Sequence, residues 1–130
     1  MTDEKKKTQD GGGLRFNQGK LPLEMVPVST SKAIAEVLRQ ATERKVNPYP
    51  PRNWERGMRW TIVMGCLERH YNDFKNPRES DFDSDSKLHH LKHVLTNVAF
   101  LIEYLETCPE LDDRPKREVK ELENVENKTK

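Results

Sequence analysis

The sequence predicts an all-α protein, a compact bundle of about three main helices with an extended N-terminal arm and disordered charged tails. Three observations predict it. Apolar residues recur three and four apart in three stretches, proline- and asparagine-rich breaks separate those stretches, and no alternating apolar–polar run exceeds a few residues.

The elements follow in chain order. Residues 1–13 (MTDEKKKTQDGGG) hold no large apolar residue after Met1, so they read as a disordered tail with a glycine linker. In 14–27 (LRFNQGKLPLEMVP), Gly19, Pro22 and Pro27 oppose a long helix, which leaves an ordered extended arm lying on the body. Ser29, Thr30 and Ser31 are candidate N-caps for a first helix over 31–44, with Ile34, Val37 and Leu38 at helical spacing. The run Asn47-Pro48-Tyr49-Pro50-Pro51 forms a rigid loop, because proline cannot sit inside a helix. Asn53 is the candidate cap of a second helix over 54–75, which Asn76-Pro77 ends. Residues 79–86 (ESDFDSDS) read as a loop whose Asp83, Ser84 or Asp85 caps a third helix over 86–106, closed by Pro109. The domain is therefore expected over 14–107, with 108–130 as a charged tail.

Composition bounds the function. The 130 residues carry 23 Lys+Arg against 22 Asp+Glu, and mean hydropathy is -0.97. That balance gives no charge footprint for nucleic acid. No apolar run is long enough to span a membrane and no signal peptide is evident, so a soluble, cytoplasmic chain is expected. Cys66 and Cys108 make neither a disulfide framework nor a zinc site. A core this small is only marginally stable alone, which predicts homo-oligomerisation.

Helical projection gathers the polar groups of interest. On the third helix His90, His93 and Asn97 form a stripe beside the apolar face, while Lys92, Thr96, Glu103 and Glu106 fall on the solvent side. On the second helix His70 lies inside the apolar arc, with Arg69 on its flank. An imidazole in such a place is either a hydrogen-bonded core residue or a ligand. Glu79, Asp81, Asp83 and Asp85 alternate in the acidic loop; they read either as solvated acids with Asp85 as a cap, or as ligands for a hard divalent cation. Asn53-Trp54, with Arg52, Arg56 and Arg59, reads either as a cap and a core tryptophan or as a base-stacking site with cations. The phosphate loop GxxxxGK[ST] and the patterns GxGxxG, HExxH and GxSxG are absent.

Taken in order, Gly19-Lys20-Leu-Pro-Leu-Glu-Met-Val-Pro27, Arg52-Asn53-Trp54-Glu-Arg-Gly57, Arg69-His70, the Asp/Ser loop and His90-x-x-His93-x-x-x-Asn97 resemble one family. It is the phage-encoded dATP/dGTP diphosphohydrolase N-terminal-domain family, and the likeness covers about 14 to 105. The resemblance implies hydrolysis of a purine deoxynucleoside triphosphate to monophosphate and pyrophosphate with a divalent metal. It also implies similarity to the oligomeric, all-α MazG-type pyrophosphohydrolases. By matching position it marks His70, Asp83, Asp85, His90, His93 and Asn97 as functional, Asn53 and Trp54 as near the nucleotide, and Lys20 as the opening lysine.

Departures are specific. Glu-Ser-Gly in the family pattern is Asp85-Ser86-Lys87 here, Gly-Glu is Arg78-Glu79, and Lys-Tyr-Gly is Lys45-Val46-Asn47. The MazG-type carboxylate pair is not evident on the first helix. If the chain is an enzyme, Glu79, Asp83 and Asp85 are expected to hold Mg2+ or Mn2+. His70, His93 and Arg69 are the expected catalytic groups, and Lys20, Asn53, Trp54, His90 and Asn97 the substrate-binding ones. Two readings from other classes stand beside it: a nucleotide-binding module without turnover, and a regulatory or interaction protein acting through its tails.

Overall fold

The computed structural model describes residues 11–16 and 18–116; the expected disorder of 1–10 and 117–130 lies outside them. Three helices carry the fold: α1 (Val28–Glu43), α2 (Trp60–Lys75) and α3 (His90–Thr107). The described residues contain no strand, only an isolated antiparallel bridge between Phe82 and His89. The bundle is all-α, as its periodicity predicts. α3 lies centrally, packed most extensively on α2 and also on α1. α2 and α3 run antiparallel, since Trp60 at the start of α2 meets Cys108 just past α3, while His70 near the end of α2 meets His90 at the start of α3.

All three helix starts differ from the sequence expectation, each for a local reason. α1 begins directly after Pro27 without a side-chain cap. Thr30 and Ser31 sit inside its first turn and donate their hydroxyls back to the carbonyls of Pro27 (2.7 Å) and Val28 (3.2 Å). α2 begins at Trp60 rather than 54, because Arg52 (φ +61°) and Gly57 (φ +90°) force the chain through a 3-10 turn at Asn53–Arg56. Asn53 therefore caps nothing in α2. The carboxylate at that helix start is Asp113, which accepts from the Thr61 N–H (2.9 Å) and hydroxyl (2.6 Å), an N-terminal cap supplied from far along the chain. α3 begins at His90 rather than 86, and its cap is His89, whose Nδ1 accepts from Leu91 N–H at 3.0 Å. Asp83, Ser84 and Asp85 do not cap it.

The core sits where α2 begins and α3 ends. Trp60, Val63, Tyr104 and Cys108 are buried there, with Trp54, Met58, Phe100, Leu101 and Leu111 packed around them. Burying those aromatic and aliphatic groups is the main stabilising term. The polar groups among them are paired: the Trp60 indole donates to the Cys108 carbonyl at 3.1 Å, and the Tyr104 hydroxyl donates to the Trp54 carbonyl. Packing thus continues past residue 107, through the 3-10 turn Pro109–Leu111 to Arg114, whose guanidinium lies over the Trp60 ring. A tail from 108 onward is corrected by that contact set.

Two further expectations about packing change. The N-terminal arm does not lie on the body, for Leu14, Phe16, Leu21, Leu23 and Met25 are all exposed. The side of α3 assigned to solvent instead meets α1: Thr96 is buried, and Lys92 pairs with Glu36 at 3.1 Å. In exchange Ile102 and Leu105 are 58% and 60% exposed. The apolar stripe of α3 is therefore wider than two helices of this chain can cover.

Candidate functional site

At the end of the bundle opposite the core, four side chains converge. His70 comes from the penultimate turn of α2, Asp83 from the loop, and His90 and His93 from the first turn of α3. Helical periodicity places the three histidines, because His90 and His93 lie three apart on one face and His70 faces them from the antiparallel neighbour.

The loop that delivers Asp83 is closed on itself by backbone bonds. Asp83 N–H donates to the Leu88 carbonyl (2.8 Å), Lys87 N–H to the Asp83 carbonyl (2.8 Å) and His90 N–H to the Asp81 carbonyl (2.8 Å). Lys87 takes φ +66°, at the position where the resembled pattern has glycine. Asn47 takes φ +51° at the other such position. Asparagine enters the left-handed region more readily than most residues, while lysine does so at a cost of about 1–2 kcal/mol. Both positions therefore take the left-handed backbone that glycine adopts without strain.

The geometry is tight. His70 Nδ1 and His90 Nδ1 lie 2.9 Å apart, and the His70 and His93 rings stack with centroids 4.2 Å apart and planes inclined by 6°. Ser86 joins the cluster from below: its N–H donates to Asp83 Oδ2 (2.7 Å), and its Oγ shares a 2.6 Å hydrogen bond with His93 Nε2 while accepting from Leu88 N–H. His90 is only 4% exposed; His70, Asp83 and His93 are half-buried.

Burial sets the charge states. It pushes the His93 imidazole down to about 4, helped by repulsion from His70, and Asp83 only partly opposes this. His70 is lowered for the same first reason. For Asp83, burial works to raise the carboxyl, but hydrogen bonds from Ser86 and the neighbouring imidazoles outweigh it and hold it below the ordinary value. A carboxylate beside neutral imidazoles is a donor set for a cation. Among the described residues, His70, Asp83 and His90 are the group whose ligand atoms all lie within 4.8 Å of one another.

The remaining predicted residues lie elsewhere. Asp85 pairs with Arg44 beyond α1 at 3.4 Å, and Glu79 is exposed at the head of the loop; neither joins the Asp83 group. Arg69 turns along α2 toward Cys66 Sγ (3.3 Å). Asn97 donates to the His93 carbonyl one turn back (2.8 Å). Trp54 packs in the core, stacked at 5.4 Å on Phe100, which is ten positions or about 15 Å of helix from His90. Asn53 goes with it, and Lys20 is exposed on the arm. Ser86 and His89 were missed as contributors. A serine three residues after an aspartate is a turn signal that could have marked the first; nothing in the sequence marked the second as a cap.

An open groove of about 600 Å³ runs between α1 and the start of α3, lined by Ala33, Phe82, His89, Leu91 and Lys92 but by none of His70, Asp83, His90 and His93. Among the described residues no helix is long and apolar enough to cross a membrane.

Comparison with known proteins adds an independent line. The family model described as dATP/dGTP diphosphohydrolase, N-terminal, matches residues 10–114. A protein of Salmonella phage PMBT28 named dATP/dGTP diphosphohydrolase is 28% identical over 102 residues, covering 78% of this chain. The aligned stretch spans about a third of that relative's length (33%). No solved structure matches the chain.

Proposed function

The chain belongs to the dATP/dGTP diphosphohydrolase N-terminal family, and from that membership we propose that it hydrolyses purine deoxynucleoside triphosphates to monophosphate and pyrophosphate with a divalent metal, Mg2+ or Mn2+ in the first instance. The observation that carries the reading is the convergence of His70, Asp83, His90 and His93, with one histidine buried. The relative's name and the family's description support the same chemistry.

Breaking the bond between the α- and β-phosphates needs water aimed at phosphorus and charge neutralised on the phosphate oxygens. A bound divalent ion supplies that neutralisation. His93, hydrogen-bonded to Ser86 and stacked on His70, orients the polar wall that a water or phosphate oxygen would meet. Phe82 and His89 line the groove and would meet a base, with Lys92 at its edge as a cation for phosphates. The protein acts as a homo-oligomer in the host cytoplasm. The exposure of Ile102 and Leu105 on α3, and of Tyr71 and Phe74 on α2, supports assembly.

A non-catalytic nucleotide-binding reading is favoured by one observation: Asp85, expected as a second carboxylate ligand, pairs with Arg44 instead. One experiment separates the two. Purified chain is incubated with each dNTP and NTP plus Mg2+ or Mn2+, and products are resolved by chromatography. Monophosphate and pyrophosphate from dATP or dGTP is the expected result. Nucleotide-dependent thermal stabilisation without turnover would replace hydrolysis with binding, and neither response would overturn both.

A further inference from the structure

We propose that His70, His90 and Asp83 form a two-histidine, one-carboxylate centre that takes one borderline transition-metal dication, of the Mn2+, Fe2+, Co2+ or Zn2+ class, in preference to Mg2+. The site differs from the carboxylate set Glu79, Asp83 and Asp85, sharing only Asp83 with it.

The first argument is spacing. Metal–nitrogen and metal–oxygen bonds to such ions are about 2.0–2.2 Å, so two ligands at right angles on one ion sit about 3 Å apart. The His70 Nδ1 to His90 Nδ1 separation is 2.9 Å, and the Asp83 oxygen falls within 4.8 Å of both. An Nδ1–Nδ1 contact has room for only one proton between the two rings, whereas an ion between them uses a lone pair from each.

The second is support. Ligands that bind metals well are held by neighbours that fix their orientation. Asp83 is held by the Ser86 N–H, Ser86 by Leu88 N–H and His93, and the His70 ring by stacking on His93. His93 is thus a positioning residue that touches two sides of the cluster. His90 is buried, with its backbone N–H tied to the loop at Asp81.

The third is donor chemistry. Mg2+ is a hard cation that takes oxygen ligands, and a set with two nitrogens for one oxygen does not suit it. Two histidines and a carboxylate on one face suit a first-row transition metal and leave coordination positions open. Those positions would face phosphate oxygens. The use of the ion rests on the hydrolytic reading above, while its binding does not.

The test reads metal alone, on the full chain stripped with chelator and without nucleotide. Titration calorimetry with Zn2+, Co2+, Mn2+ and Mg2+ is paired with the visible absorption of bound Co2+. One equivalent of Zn2+ or Co2+ is expected to bind, with no Mg2+ binding at the same concentrations. Asp83→Asn and His70→Gln are expected to weaken binding at least about tenfold, and Ser86→Ala by about 10-fold or more through lost support. Asp85→Asn and Glu79→Gln should leave it unchanged. Because His90→Ala empties a buried position, His70→Gln, folded by circular dichroism, is the deciding variant. Absence of Zn2+ and Co2+ binding, equal binding of Mg2+, or weakening by Asp85→Asn as large as by Asp83→Asn would each overturn the proposal. Metal bound without nucleotide hydrolysis would retain this centre and remove the activity; hydrolysis with Mg2+ and no Zn2+ or Co2+ binding would do the reverse.

Discussion

Gly57→Ala is expected to be among the most damaging single-methyl changes in this protein. Gly57 lies at φ +90° and ψ +141°, a region essentially confined to glycine; holding an alanine there costs about 1–3 kcal/mol. A Cβ on it would sit 2.8 Å from Leu111 Cδ1 and 3.2 Å from Cys108 Sγ, both packed against the core. Overpacking of that kind costs about 1–3 kcal/mol, and the lower half applies because the Leu111 methyl is the end of a side chain that can move. The sum is about 2–5 kcal/mol. At about 4–8 °C per kcal/mol for a domain near 100 residues, Tm falls by about 8–40 °C. Urea unfolding followed by tryptophan fluorescence checks it, since Trp54 and Trp60 flank the site. Gly65→Ala is the internal comparison: it lies inside α2, its Cβ would meet only the movable Arg69 guanidinium at 3.2 Å, and it should gain about 0.5–1 kcal/mol from helix propensity. A Gly57→Ala loss below about 1 kcal/mol, or the same sign for both variants, would refute the reasoning.

The other predictions concern the loop, the cap and the cluster. Lys87→Gly should leave stability unchanged or raise it by up to about 1 kcal/mol, since relief of the left-handed lysine exceeds glycine's added unfolded-state entropy; a loss of more than about 1 kcal/mol in denaturant titration would show that the Lys87 side chain is needed. The Asp113 carboxyl is held below its ordinary value first by hydrogen bonds from Thr61. A depressed acid stabilises the fold above its unfolded value, near pH 4, and that contribution disappears as pH falls through the folded one. Asp113→Ala should therefore melt below the parent protein at pH 7, with the gap closing below about pH 4; a gap unchanged at pH 2 would contradict the cap. His93→Ala should reduce nucleotide turnover or affinity while keeping helical circular dichroism, and full activity would remove His93 from the site.

Much of the architecture was legible because helices announce themselves by period. The three helices lie where Val37, Val63 and Tyr104 repeat with their neighbours, and the histidine cluster was visible as facing stripes. Helix starts were not legible, because they depend on backbone paths and distant partners. Asn53 has the composition of a cap but is followed by a glycine at positive φ, while the true carboxylate at α2 is Asp113. The metal-capable set was half legible. Alternation in Glu79, Asp81, Asp83 and Asp85 says nothing about which acid the loop turns inward, and the choice of Asp83 is made by bonds to Leu88, Lys87 and Ser86. Trp54 looked equally suited to a base or a core; its stacking on Phe100 is a tertiary contact that no local pattern encodes.

The capping of α2 by Asp113 also bears on how the chain is made. Synthesis proceeds from the N-terminus, so α2 emerges with no carboxylate at its first turn and no acceptor for the Trp60 indole. Both arrive only with residues 108–113, separated from their partners by 48 and 52 positions. Closing a loop of that span must come before the contacts it rewards. On the ribosome α2 therefore waits as an unfinished helix with its apolar side bare, and docking onto α3 is sealed by nearly the last described residues to appear. Stopping the chain at residue 107 would give not a trimmed domain but one caught before its final closure.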